Sequence, residues 1–252
     1  RIIPCLLISD GGLVKTRQFK SAKYVGDPIN AVKIFNEKQA DELIVLDIDA
    51  SINGVEPDYK LISKLAEECR MPLCYGGGIS NSKQASRIIE LGVEKVAISS
   101  AALENPDLLH QISSAAGRQS VVAILDVLKR KGIFSNGYEI KTHNATKLHK
   151  GTPEEIACLL AEAGAGEIVI NSIDRDGEMN GYDLELAKSI TGKLNVPSTF
   201  LGGAGSNSDI IDLLNTCGTV GAAAGSLFVF KGKYRAVLIN YPSETKKDEI
   251  IL

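Results

Sequence analysis

Two groups of residues in this chain have the types and spacing to do chemistry. The first is acidic. Asp126 closes the apolar run Val121-Val122-Ala123-Ile124-Leu125. Asp47 and Asp49 follow residues 43–46, and Asp176 lies in Asp174-Arg175-Asp176-Gly177. An acid ending an apolar strand is a poor structural choice unless it is hydrogen-bonded, and it suits proton transfer. Asp126, Asp176 and Asp10 are the acid/base candidates, and Lys15 lies in the same loop as Asp10. The second group is small. Gly76-Gly77-Gly78 and Gly202-Gly203-Ala204-Gly205 are each followed by a helix-start signal. Backbone N–H groups in such loops can approach a phosphate, and a helix N-terminus adds a favourable dipole. Tight turns alone would also explain these glycines. His143 and His149 lie in a long polar stretch from 129 to 152, where a histidine is more often solvated than catalytic.

These residues need elements to hold them. Short apolar runs at 3–8, 43–47, 72–75, 95–99, 121–126, 167–171, 198–201 and 220–224 alternate with amphipathic stretches. Those stretches lie at 28–39, 59–68, 82–91, 106–115, 153–163, 183–191, 208–216 and 232–239. Continuous rather than alternating apolarity predicts parallel strands covered on both faces. Eight of each in alternation predict a (β/α)8 TIM barrel, with an open doubly wound sheet as the other arrangement. A repeat favours the barrel. Gly76-Gly77-Gly78-Ile79-Ser80-Asn81-Ser82 matches Gly202-Gly203-Ala204-Gly205-Ser206-Asn207-Ser208 at an offset of 126. Glu42, Ile48 and Asp49 match Glu167, Ile173 and Asp174 at an offset of 125. The reading is one domain over 1–252, made of two homologous half-barrels (about 1–117 and 118–240) and a tail at 241–252. Asp49 and Asp174 then read equally as structural partners kept by both halves.

In a barrel, the residues just after each strand form the face where chemistry occurs. One candidate phosphate site is therefore Gly76, Gly77 and Gly78 with Ser99 and Ser100. The other is Gly202, Gly203 and Ala204 with Gly225 and Ser226. An elongated ligand with a phosphate at each end would span them.

Composition narrows the partners. The 252 residues are 44% hydrophobic and 23% charged, as in an ordinary globular chain, which excludes disorder, collagen and coiled coil. A net charge of −3 with no basic stripe visible in the sequence makes nucleic acid an unsuitable general partner. The five cysteines are scattered, and neither a zinc-ligand spacing nor a cofactor motif is present. No apolar run is long enough to span a bilayer. With no signal peptide visible, a reducing, cytoplasmic setting is expected. The chain opens at Arg1 without an initiator Met.

Several stretches resemble one family along nearly the whole chain. They are Asp41-Glu42-Leu43-Ile44-Val45-Leu46-Asp47-Ile48, Tyr75-Gly76-Gly77-Gly78-Ile79, Ala101-Ala102-Leu103-Glu104-Asn105-Pro106, Ser172-Ile173-Asp174-Arg175-Asp176-Gly177 with Gly181-Tyr182-Asp183, and Gly202-Gly203-Ala204-Gly205. The sequence is similar to the cyclase subunit of imidazole glycerol phosphate synthase. That resemblance implies a glutaminase subunit on the N-terminal barrel face. It also implies ammonia passage through the barrel to a substrate with two phosphates. Its ring of charged residues at the passage entrance falls on Arg1, Glu42, Lys95 and Glu167.

The family's second catalytic aspartate falls on Asp126, but its first falls on Leu7, which cannot transfer a proton. The family's strand-four Asn-Thr pair is Ser99-Ser100 here, and its strand-six hydroxyl and strand-seven serine fall on Asn171 and Leu201. Cys5-Leu6-Leu7, the runs 11–16 and 23–28, and Thr142-His143-Asn144 resemble a paralogous branch. That branch works with a glutaminase and a separate amidotransferase in making acetamidino sugars for surface polysaccharide. The resemblance favours this branch. The authentic histidine-pathway cyclase is the alternative, and a non-catalytic barrel that only docks and activates the glutaminase is a third reading.

Overall fold

A computed structural model of the chain describes residues 1–130 and 137–251. Eight parallel strands form a closed barrel. They are β1 (Ile2–Ser9), β2 (Leu43–Asp47), β3 (Leu73–Gly76), β4 (Lys95–Ile98), β5 (Val121–Lys129), β6 (Glu167–Ser172), β7 (Ser198–Leu201) and β8 (Gly221–Ala224). Each pairs in parallel with its chain neighbour, including β5 with β6, and β8 pairs with β1 to close the ring. The open-sheet alternative is thereby excluded, since no parallel edge is left.

The outer helices are α1 (Pro28–Glu37), α2 (Tyr59–Glu68), α3 (Ser82–Glu90), α4 (Asp107–Ala116), α5 (Pro153–Glu162), α6 (Leu184–Thr191), α7 (Asn207–Cys217) and α8 (Glu244–Ile251). Their starts follow from local chemistry. Asp27 accepts the Asn30 N–H at 2.8 Å before α1, and Thr152 and Ser206 form capping boxes with Glu155 and Asp209. Burial sorts the apolar residues into two cores. One lies between strands and helices. The other fills the barrel with Ile3, Cys5, Ile44, Cys74, Val122 and Val169 among its members. All five cysteines are free thiols.

The eighth helix is not at 232–239. Gly232 has φ +74, a turn that an L-residue disfavours, and the chain folds into a small hairpin pairing Phe230–Lys231 with Ala236–Val237. The helix lies instead in the tail, as α8. Tyr241 fixes that tail to the barrel. Its hydroxyl donates to the Ile2 carbonyl at 2.8 Å and accepts the Asp41 N–H at 3.1 Å, while its ring packs on Phe35 and Phe228. Two further hairpins rise from the C-terminal ends of the barrel strands. One pairs Gly12–Arg17 with Lys20–Gly26, and in the other Tyr138–Thr142 pairs with the end of β5 on one side and with Lys147–His149 on the other. Part of the long stretch from 129 to 152 (residues 131–136) lies outside the described residues.

Candidate active site

A cleft opens at the C-terminal ends of the strands, and all ten candidate phosphate-site residues line it. So do Asp126, Asp176, Lys15, Leu7, Asn171 and Leu201. Asp10 does not line it. It occupies the exposed turn of the first hairpin at φ +48, where its N–H donates to Asp49 Oδ2. The first hairpin folds back along β1, pairing Leu7 with Val14, so that Asp10 is carried to the turn while Lys15 returns over the mouth.

Asp126 sits in the cleft wall beside its register neighbour Asn171 on β6. Asn171 Nδ2 donates to Asp126 Oδ1 at 2.9 Å, and Ser99 Oγ lies 3.5 Å from Oδ2. Burial pushes the Asp126 carboxyl up to about 7, against the two hydrogen bonds that pull it down. A carboxyl poised near neutrality can both give and take a proton. Asp176 is differently placed. Its Oδ2 accepts from Thr16 Oγ1 at 2.7 Å and from the Phe19 N–H at 3.2 Å, so it also anchors the first hairpin.

Lys15 is buried, and its ammonium donates to the Cys5 carbonyl at 2.8 Å. Burial lowers its pKa. A Cβ on Gly225 would come within 2.1 Å of Lys15 Nζ, so a larger residue there would displace the ammonium from this position. Leu7 and Leu201 contribute to the apolar floor that continues into the barrel interior.

The Gly-rich loops combine two roles. Cβ atoms on Gly77 and Gly203 would meet the Asp47 carbonyl at 2.4 Å and the Gly181 carbonyl at 2.1 Å, so close backbone packing already demands glycine there. The helices that follow, α3 and α7, have starts capped by Asn81 and Ser206. Two short turns after β4 and β8, Ser100–Glu104 and Ser226–Val229, line this end of the cleft and start without a side-chain cap. Their backbone N–H groups are the donors available to an anion. Ser100 Oγ also accepts the His143 N–H at 3.0 Å, tying the long loop to this wall. His149 has a buried Nδ1 without a hydrogen-bond partner and does not line the cleft.

Asp49 and Asp174 hold corresponding positions. Asp49 accepts from Ser9 Oγ and Asp10 N at the end of β1, while Asp174 accepts from Lys129 N at the end of β5. Each thus ties the loop after one strand to the end of the preceding strand. Asp47 Oδ1 likewise accepts the Asp49 and Ala50 N–H groups.

At the opposite end of the barrel four side chains close a ring. Arg1 reaches Glu42 at 2.6 Å and Glu167 at 2.8 Å, and Lys95 reaches the same two carboxylates at 2.7 and 2.9 Å. Burial raises the Glu167 pKa, but Arg1, Lys95 and Thr199 outweigh it and hold the carboxylate below its ordinary range. Thr199 donates to Glu167 at 2.6 Å. Sequence reading missed Thr199 and the Asn171–Asp126 bond, because both arise from partners on neighbouring strands far apart in the chain. Among the described residues no cluster of His, Cys, Asp and Glu could hold a metal, and no helix is long and apolar enough to cross a membrane.

Comparison with known proteins agrees with this architecture. Residues 1–235 match the model of a family described as histidine biosynthesis protein. A Vibrio vulnificus protein provisionally named imidazole glycerol phosphate synthase subunit hisF3 is 55% identical over 251 residues, covering 100% of this chain and 96% of its own. A similarly provisional HisF subunit from Leptospira interrogans is 54% identical, over 99% of this chain and 98% of its own. The imidazole glycerol phosphate synthase subunit HisF of Lactococcus lactis is 37% identical, over 100% of this chain and 98% of its own. The chain therefore belongs to the histidine biosynthesis protein family, among the cyclase-type barrel subunits of imidazole glycerol phosphate synthase.

Proposed function

We propose that this chain is the ammonia-accepting barrel subunit of a glutamine-dependent synthase. A glutaminase docks at the ring of Arg1, Glu42, Lys95 and Glu167, and ammonia rises through the apolar interior to the cleft. A phosphorylated acceptor is held between the two cradles, with Asp126 as the acid/base group. The observation that carries this reading is the stacking of a closed charged ring, an apolar barrel core and a near-neutral carboxyl along one axis. Neutral ammonia suits the middle layer, and the ring keeps bulk water and ions out. We also read the chain as two half-barrels, which the matched roles of Asp49 and Asp174 support.

The names of the relatives support the histidine-pathway bisphosphate as acceptor. A second reading rests on Leu7. An alkyl side chain lines the cleft where the resemblance implies the partner acid of Asp126. With one acid/base group in place of two, the barrel is suited to passing ammonia onward. The recipient is then a separate amidotransferase that makes an acetamidino sugar. Ammonia-dependent turnover of the histidine-pathway bisphosphate tests the choice. Turnover at the rate of a two-aspartate cyclase favours the first reading and contradicts the second. Its absence, with glutaminase activation intact, favours the second.

A further inference from the structure

The catalytic rim carries a charge pattern that the net charge conceals. Residues 11–26 and 230–240 hold seven of the 28 Lys and Arg and none of the 31 Asp and Glu, with Asp10 and Asp27 flanking the first segment, leaving 21 basic against 31 acidic residues elsewhere. Lys15 alone of the seven is buried. These two segments are the first hairpin and the hairpin after β8, and they meet in space. Lys23 Nζ lies 5.9 Å from the centre of the Phe230 ring. Arg17 and Arg235 both reach Glu178, at its carboxylate (2.7 Å) and its carbonyl (3.4 Å) respectively. The result is one cationic ridge beside the cleft, formed by Arg17, Lys20, Lys23, Lys231, Lys233 and Arg235.

The ridge also presents aromatic rings. Tyr234 is 91% exposed and Tyr24 is 66% exposed. Tyr24 is not loose. Its ring lies where a Cβ on Gly12 would be, at 2.8 Å, so the hairpin backbone supports one side and leaves the rest open. The exposed Tyr rings offer contact area of the kind interfaces use, and the Lys and Arg around them supply charge for steering. Lys15, Thr16 and Phe19 of the first hairpin face the cleft, while Lys20, Lys23 and Tyr24 are exposed on its outer side.

We infer that this ridge is the docking surface for an acidic face of the enzyme that consumes the ammonia, seated over the cleft opposite the glutaminase. This rests on the second reading above, in which the acceptor belongs to a separate amidotransferase. Charge complementarity argues for this occupant. The ridge concentrates positive charge on an otherwise acidic protein, which would steer an acidic partner to the mouth and orient it there. Ammonia leaving the cleft would then enter the partner without crossing bulk solvent.

The test uses the barrel–glutaminase complex and the purified sugar amidotransferase of the same gene neighbourhood. Binding is read at low and high salt, and glutamine-supported amidation is read beside amidation by added ammonium. The variants are Lys20→Glu/Lys23→Glu and Lys231→Glu/Lys233→Glu, all at exposed positions, with thermal melting and glutaminase activation as folding controls. The expected result is salt-weakened binding, a loss of about tenfold or more in each variant, and a matching loss of glutamine-supported amidation. Amidation by added ammonium and glutaminase activation should be unchanged. Wild-type binding and coupling in the variants would overturn the ridge as the docking surface while leaving the second reading intact. Neither binding nor coupling in the wild type would overturn that reading and this inference with it. A concentration-dependent dimer lost in the same variants would show a second copy as the occupant and overturn the choice of partner.

Discussion

Asn171 Nδ2 donates to Asp126 Oδ1 at 2.9 Å, and the two residues are register neighbours on adjacent barrel strands. This bond occupies Oδ1, while Oδ2 has only the longer contact with Ser99 Oγ at 3.5 Å. Asn171→Leu removes a donor that lowers the Asp126 pKa while keeping the site buried. The Asp126 carboxyl should therefore titrate above its present value of about 7. A carboxyl NMR titration reads this directly. An unchanged midpoint would mean that Asn171 does not govern the group.

The same carboxyl makes a stability prediction. Its folded pKa of about 7 lies above the ordinary value of 3.8, so between these values the folded state binds more protons than the unfolded state. Stability contributed by the protonated form is fully present below about pH 4 and is lost as pH rises through 7. The upper bound is about 4 kcal/mol, from about 1.4 kcal/mol per pKa unit. Asp126→Asn should thus melt higher than wild type at pH 8 and near wild type at pH 4, while losing activity. Equal melting shifts at both pH values would contradict the raised pKa.

At the other end of the barrel, Glu167→Ala removes the carboxylate shared by Arg1, Lys95 and Thr199. Breaking a largely buried ion-pair network by deleting one member costs about 3–5 kcal/mol, discounted here because Arg1 is partly exposed. Use of glutamine-derived ammonia should change, while use of free ammonium should not. Equal effects on both would argue against passage through the ring.

Gly203→Ala places a Cβ against the Gly181 carbonyl at a backbone φ of +106. Strain and overlap together should cost about 2 kcal/mol or more. Weakened inorganic phosphate binding beyond that expected from the lost stability would show that the loop also cradles an anion. Unaltered binding by the folded fraction would leave the loop a packing device only.

Much of this arrangement is legible in the sequence because parallel strands buried on both faces read as uninterrupted apolar runs. The eight runs and the duplicated Gly-rich loops were sufficient to predict closure. The eighth helix was misread because residues 232–239 mix apolar and basic residues at helix-like spacing, whereas the left-handed backbone at Gly232 turns the chain. Helix α8 is highly charged and gives little amphipathic signal. It is held by Tyr241 and by Lys247 bound to Asp41, contacts that join opposite ends of the chain. The ring and the cleft acids were identifiable as residues. Asp10 was misplaced because the hairpin returning along β1 moves it to an exposed turn, and that pairing is set by backbone geometry rather than residue type.

The central claim is that ammonia enters at the ring and is used at the far face. It is tested most directly by feeding the barrel–glutaminase complex isotope-labelled glutamine in the presence of excess unlabelled ammonium. The label is then measured in the aminated product, made from the bisphosphate or by the coupled amidotransferase. An enclosed route predicts product labelled from glutamine with little dilution, and dilution appearing on Glu167→Ala. Product labelled at the ratio of the bulk ammonium pool would contradict the account.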